Sequence, residues 1–208
     1  MKHFYIIRHG ETEYNKSKRL QGRGINASLN EVGRMQARAV ADALSGYPIQ
    51  KVVTSSLARA VESAAPYLEN NAVSIESWAD LDEMSFGDFE GKPFYDVIDQ
   101  LKNLQIEWGS GNTGYPVLGG ESPEDVYKRA STKLIEIAEK SSENHIAVYV
   151  HGRLIRILLS GILGLGLQNM QQIEHENGAI NHITWENGTF KPIRLNITDH
   201  LHHLKNAV

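Results

Sequence analysis

Residues 4–12 read Phe4-Tyr5-Ile6-Ile7-Arg8-His9-Gly10-Glu11-Thr12: four apolar residues, then at once a cation, an imidazole, a glycine, a carboxylate and a hydroxyl. A short apolar run of aromatic and β-branched residues closed by a glycine is the pattern of a strand buried on both faces. In open α/β sheets ligands bind at the carboxyl ends of such strands, where backbone and side chains meet in a crevice. Arg8 and His9 occupy that end. Taken alone, Arg-His-Gly reads as an ordinary strand end turning into solvent, and the rest of the chain has to decide.

The same pattern recurs. Residues 52–54 predict a short strand that gives way to Ser55-Ser56 and then to a helix from Leu57 up to Pro66. Residues 73–78 predict a third strand. Residues 146–150 predict a fourth, running straight into His151-Gly152 and a helix over 153–161. Between the first two strands, Ser28-Leu29-Asn30-Glu31 has capping-box spacing, and Leu29, Val32, Gln36, Val40, Ala43 and Leu44 follow at near-helical intervals to Gly46. Ser122 as N-cap, Pro123 at the first helical position and Glu124 and Asp125 in the first turn start another helix through Val126, Ala130, Leu134 and Ile137. Residues 180–185 and 189–195 flank Asn187-Gly188 as a β-hairpin. Five glycines among the twelve residues 109–120 predict a mobile loop suited to a lid. Strands alternating with helices predict an α/β layered fold around a mainly parallel sheet, as one domain over 1–208 with a cap or lid insertion around 92–120.

Composition narrows the function. The 208 residues carry a formal charge of −4, without the long-range positive field of a nucleic-acid binder, so any gathering of arginines is a local feature. The absence of cysteine removes disulfides, thiolate nucleophiles and Cys-based metal sites. The apolar run before Arg8 is too short for a secretory signal. The most apolar stretch, 154–167, contains Arg156 and three glycines, so no membrane span is predicted and the expected location is cytoplasmic. His200 to Leu204, His-Leu-His-His-Leu, offers imidazoles without acidic helpers and reads as a solvated terminus; no metal is assigned. Nothing in the sequence speaks to oligomeric state.

In a parallel sheet the ends of the first, second and fourth strands share one edge. Arg8 and His9, Ser56 and Arg59, and His151-Gly152 would meet there. Two arginines and two histidines beside helix N-termini make an anion pocket suited to phosphate. An unprotonated imidazole nitrogen is a competent nucleophile toward phosphorus, and surrounding cations would stabilise the in-line transition state without a metal.

These stretches resemble the histidine phosphatase superfamily, the branch of small phosphatases and cofactor-dependent phosphoglycerate mutases. The matching segments, in order over nearly the whole chain, are RHGET at 8–12 with Asn15 after it, Gln21-Gly22, SSLARA at 55–60, LDEMSFGDFEG at 81–91, GES at 120–122 and His151-Gly152. The resemblance implies a phosphoglycerate mutase-like three-layer sandwich. It makes His9 the nucleophile that becomes phosphohistidine, with Arg8, Arg59 and His151 binding the phosphoryl oxygens. Glu83 becomes the proton donor to the leaving oxygen and later the base for water, with Asp82, Glu11, Glu13 and Glu121 as neighbouring rivals. Asn15, Gln21, Gly22 and Gly152 shape the phosphate loop or bind substrate, and Arg153 either adds a substrate-binding cation at the rim or points outward to pair with a carboxylate. Arg19, Arg23 and Arg153 are candidates to grip a second anionic group. Two departures stand out: Val150 and Arg153 where family members often carry Ser or Thr and a second Gly, and Asn26 where Asp is common. The longer insertion of bisphosphate-dependent mutases is absent. The expected activity is therefore a metal-independent phosphomonoesterase that needs no cofactor, takes a small phosphorylated metabolite and releases inorganic phosphate. Mutase-type transfer between hydroxyls and a weakly active phospho-ligand binder are the alternatives; no nucleic-acid or membrane partner is expected.

Overall fold

A computed structural model describes residues 1–205. Its elements run β1 (Lys2–Arg8), α1 (Glu13–Lys16), α2 (Glu31–Leu44), β2 (Lys51–Ser55), α3 (Ala58–Asn70), β3 (Ser74–Trp78), α4 (Ile98–Gly109), α5 (Pro123–Lys140), β4 (His145–Val150), α6 (Gly152–Ile162), β5 (Ile180–Glu186), β6 (Thr189–Ile197) and α7 (His202–Lys205), with short 3-10 turns between them. The six strands form one sheet in the order β3-β2-β4-β1-β5-β6. The pairs β1/β4, β2/β4 and β2/β3 are parallel, while β5 and β6 add an antiparallel edge.

Side chains alternate across a strand, so the central strands feed two cores. Phe4, Ile6, Val53, Ile146, Val148 and Val150 point to one face and pack with Val126 and Leu134 of α5 and Leu154 and Leu158 of α6. Tyr5, Ile7, Val52, Ala147 and Tyr149 point to the other, against Val40 and Leu44 of α2 and Ala60, Ala64 and Tyr67 of α3. This is the expected α/β sandwich of helices on both faces of a mainly parallel sheet. Among the described residues no helix is long and apolar enough to cross a membrane.

Local signals account for most of the elements. Ser122 Oγ accepts from Asp125 N–H while the Asp125 carboxylate accepts from Ser122 N–H, a complete capping box ahead of Pro123. Asn187 and Gly188, with φ of 51° and 78°, supply the two left-handed residues of a type I′ hairpin.

Three local expectations are corrected. The N-cap of α2 is Asn30, whose Oδ1 accepts from Gly33 N–H at 2.8 Å; Leu29 is still extended, bridged to Thr12. The helix after β2 does not stop at Pro66 but runs to Asn70. Ala60, Ala64 and Tyr67 lie on one buried face, and their packing outweighs the hydrogen bond that proline removes. Finally, the histidine-rich end is not simply solvated: Leu201 is buried and His200 Nε2 lies 2.9 Å from Gly178 O, although His202 and His203 are exposed.

The glycine-rich segment is folded against the body. Leu101, Leu104 and Trp108 of α4, together with Val117, join the larger core. Trp108 Nε1 donates to Tyr115 O, Asp88 N–H to Leu118 O and Glu121 N–H to Ser85 O.

Candidate active site

β2, β4 and β1 are adjacent and parallel, so their carboxyl ends carry Ser55, His151, Arg8 and His9 to one edge of the sheet. His9 is buried, and its N–H donates to Val150 O at 2.9 Å, continuing the β1/β4 ladder. Its Nδ1 lies 2.6 Å from Gly10 O. A carbonyl only accepts, so Nδ1 carries the proton and Nε2 presents a lone pair. Burial first, then Arg59 and Arg8, hold the imidazole well below its ordinary pKa, so the ring is neutral. Gly10 is required where it stands: a Cβ there would fall 2.4 Å from Gly33 O in α2.

Arg59 comes from the first turn of α3 and is fully buried. Nη1 donates to Ile25 O at 2.7 Å, Nη2 to Gly22 O at 3.2 Å and Nε to His151 Nδ1 at 3.2 Å. With Nδ1 accepting, His151 carries its proton on Nε2, which donates to Ser55 Oγ at 2.6 Å. Burial, then Arg59 and His9, depress the basicity of His151 in turn. The two imidazole centroids are 5.2 Å apart. Asn26 finds its explanation here. Leu57, the N-cap of α3, has no capping side chain, and Asn26 Oδ1 accepts from Ala58 N–H at 2.7 Å, supplying the missing bond at the start of the helix that carries Arg59.

Glu83 is buried under the N-terminus of α6. Its Oε1 accepts from Met84 and Leu154 N–H, both at 2.9 Å, and its Oε2 from Arg153 N–H at 3.1 Å. The rival carboxylates are engaged elsewhere. Asp82 takes the N–H and hydroxyl of Ser56 at 2.8 Å, so Ser55 rather than Ser56 serves the site. Glu121 pairs with Arg129 at 2.8 Å, Glu11 accepts from Asn30, and Glu13 sits exposed in α1.

The remaining expected residues form the floor and wall. Asn15 Oδ1 accepts from Thr12 N–H and from Asn177 Nδ2, and Thr12 Oγ1 donates to Gln21 Oε1 at 2.7 Å. Gly22 holds Arg59 through its carbonyl, and a side chain there would fall 2.1 Å from Glu90 Oε1. Gly152 lets Arg8 and His175 close on α6: a Cβ would be 3.0 Å from Arg8 Nε and from His175 Cε1. Arg8 Nη1 lies 3.0 Å from His175 Nδ1, and burial lowers the Arg8 pKa to about 10. Two donors of the expected site residues, Arg8 Nε and Gln21 Nε2, are buried without a hydrogen-bond partner, and an anion's oxygens can accept from such groups. Arg19 and Arg23 do not join them. Arg19 Nε donates to Gly91 O, while Arg23 lies 3.6 Å from Asp82 and 3.7 Å from Glu121.

Three supporting residues carry no signal at the sequence level. Asn177 donates to His9 O at 3.0 Å. Ser63 Oγ accepts from Gly10 N–H and donates to Arg59 O. Arg129 reaches across from α5 to the carbonyls of Asp80, Asp82 and Glu83, fixing the loop that presents Glu83. Among the described residues no three His, Asp or Glu side chains converge to hold a metal ion.

The chain is 28% identical over 187 residues to the glucosyl-3-phosphoglycerate phosphatase of Mycolicibacterium vanbaalenii, covering 86% of this chain and 80% of that one. It is 33% identical over 156 residues to phosphoglycerate mutase-like protein 4 of Arabidopsis thaliana, covering 74% and 67%. A phosphoserine phosphatase of Entamoeba histolytica, solved as a mutant in complex with phosphoserine, superposes with a TM-score of 0.85 at 25% identity over 97% of this chain and all of that one. Residues 4–198 match the histidine phosphatase superfamily (branch 1), and the chain belongs to that family.

Proposed function

We propose that this phosphatase of the histidine phosphatase superfamily is a metal-independent phosphomonoesterase that hydrolyses a small phosphorylated metabolite through a phosphohistidine on His9. The observation that carries the reading is the His9 ring: neutral, with Nδ1–H tied to Gly10 O, so that Nε2 is free beside Arg8 and Arg59. Nε2 attacks phosphorus and the ester P–O bond breaks. Glu83 Oε2, which accepts one N–H and keeps a lone pair for a proton, delivers that proton to the leaving oxygen. Water then attacks the phosphohistidine, Glu83 takes its proton, and phosphate leaves with His9 restored. Arg8 and Arg59 supply the positive charge that a metal supplies elsewhere.

His151 needs one rearrangement for its expected role, because both ring nitrogens are engaged, one by Ser55 and one by Arg59. The incoming dianion offsets the field of Arg59, Nδ1 takes up a proton, and it then donates to a phosphoryl oxygen. The segment 92–120 serves as the cap over the substrate, carried by α4 and the glycine-rich turn. The test is a screen of phosphorylated metabolites for phosphate release with chelator present. Release from at least one small monoester is expected; activity that disappears with chelator and returns with a divalent metal contradicts the reading, and transfer to a second hydroxyl in preference to water marks a mutase.

A further inference from the structure

The three consecutive peptide groups from Arg8 to Glu11 have every N–H and C=O engaged, and the partners change character along the chain. The Arg8–His9 peptide is held by backbone: Gly178 N–H donates to Arg8 O at 3.0 Å and His9 N–H to Val150 O at 2.9 Å. There the sheet ends, and side chains take over. The His9–Gly10 peptide is gripped at both ends, with Asn177 Nδ2 donating to His9 O and Gly10 N–H donating to Ser63 Oγ, each at 3.0 Å. The Gly10–Glu11 peptide gives its N–H to Gln36 Oε1 at 2.8 Å, and its carbonyl is the group that accepts from His9 Nδ1 at 2.6 Å.

These side chains are themselves fixed. Ser63, buried in α3, donates its hydroxyl proton to Arg59 O at 2.6 Å, so a lone pair faces Gly10 N–H. One hydroxyl thus ties the His9 loop to the helix turn that carries Arg59. Gln36 stands one turn beyond Gly33 in α2, where loop and helix touch backbone to backbone: a Cβ on Gly33 would lie 2.1 Å from Glu11 O. Asn177 also donates to Asn15 Oδ1 at 3.3 Å. A peptide plane clamped at its N–H cannot turn its C=O, so Gln36 sets the direction of Gly10 O. Gly10 O in turn decides which imidazole nitrogen keeps the proton, and only the Nδ1–H tautomer leaves a lone pair on Nε2.

We propose that Gln36, Ser63 and Asn177 are positioning residues for the nucleophile: they hold the two peptide groups after His9 so that Gly10 O keeps the imidazole proton on Nδ1 and Nε2 stays available to phosphorus. They act through the backbone and not on the substrate. The inference rests on the reading of His9 as the nucleophile. Both tautomers are neutral, so losing the frame lowers the rate of phosphorylation by the same factor at every pH where the ring is unprotonated and leaves anion binding in place.

The test uses Gln36→Met, Ser63→Ala and Asn177→Leu, with Ser63→Thr keeping the hydroxyl. In protein isotopically labelled at the histidine nitrogens, the His9 ring is identified by comparison with His9→Ala, and its nitrogen shifts read the tautomer without turnover. Wild type should show a protonated Nδ1 and an unprotonated Nε2, and in the three variants the two shifts should move toward each other as the second tautomer fills. The burst with p-nitrophenyl phosphate should slow on the order of tenfold, about the worth of one hydrogen bond, equally at neutral and alkaline pH. Inorganic phosphate, measured by calorimetry, should bind within a few fold of wild type and so report an intact fold. Ser63→Thr should restore most of the burst. Gln36 and Asn177 are only half-buried, so their variants decide the matter even where Ser63→Ala does not fold. A wild-type tautomer and burst in the variants, a loss confined to phosphate affinity, or a loss recovered in alkali overturns the proposal. A tautomer shift in the variants while His9→Ala keeps full turnover would instead overturn the nucleophile reading.

Discussion

Glu83→Gln is the substitution whose consequences the structure specifies most fully. The carboxylate accepts three backbone N–H groups, two on Oε1 and one on Oε2. An amide has one oxygen. Placed to keep Met84 and Leu154, it turns its NH2 toward Arg153 N–H and leaves that donor unpaired, at a cost of about 1–3 kcal/mol in stability. The chemical effect is separate and larger. The amide cannot protonate a leaving oxygen, and general acid catalysis contributes on the order of a hundredfold to ten-thousandfold. An alkoxide needs that proton in the transition state, whereas nitrophenolate leaves with little help. Rapid-quench measurement of the burst should therefore show phosphorylation of His9 by an alkyl phosphate slowed by roughly a hundredfold or more, and by p-nitrophenyl phosphate much less. The burst is the quantity to compare, because dephosphorylation, with Glu83 as base, would limit steady-state turnover for both substrates alike. Equal losses in the two bursts would refute the proton-donor role and leave Glu83 as a support for α6; Asp82→Asn, carried through the same comparison, would then show whether its neighbour is the acid.

Three further outcomes follow from the same geometry. Arg59→Ala should lower turnover on the order of a hundredfold or more, and Arg59→Lys should not restore it, because one ammonium cannot serve Gly22 O, Ile25 O and His151 Nδ1 together; turnover of the lysine variant within a few fold of wild type would contradict this. Phosphate binding at pH 8, where the ligand is already the dianion, should draw up to one proton from buffer as His151, depressed by burial, Arg59 and His9, becomes protonated. Calorimetry in buffers of different ionisation enthalpy reads this directly, and His151→Asn should abolish it. Amide exchange over 109–120 should slow when vanadate or phosphate is bound if the cap closes on the ligand, and unchanged exchange at saturation would remove the cap from the cycle.

The parts of the molecule that were legible in the sequence are those set by local rules. The apolar run ending at Arg8, the capping box at Ser122 and the Asn187-Gly188 turn depend on residues a few positions apart, and each lies where its pattern predicts. Parallel pairing of β1, β4 and β2 then brings His9, Arg59 and His151 together with no further information needed. What was not legible depends on contacts across the chain. Pro66 reads as a helix stop because the burial of Tyr67 is invisible locally. Ser55 and Ser56 are indistinguishable until strand register sends one to His151 and the other to Asp82. Arg129 and Asn177 act on carbonyls 46 and 168 positions away, an interaction no motif encodes. His175 belongs to no pattern at all.

The central claim is that His9 carries the phosphoryl group, and trapping it is the most direct test. The protein is mixed for a short time with a phosphorus-labelled monoester that it turns over, quenched in alkali and mapped by peptide. Label is expected on the peptide containing His9, stable to base and lost in acid as phosphoramidates are, and absent from His9→Ala. Label on a serine or aspartate peptide, or undiminished turnover by His9→Ala, would contradict it.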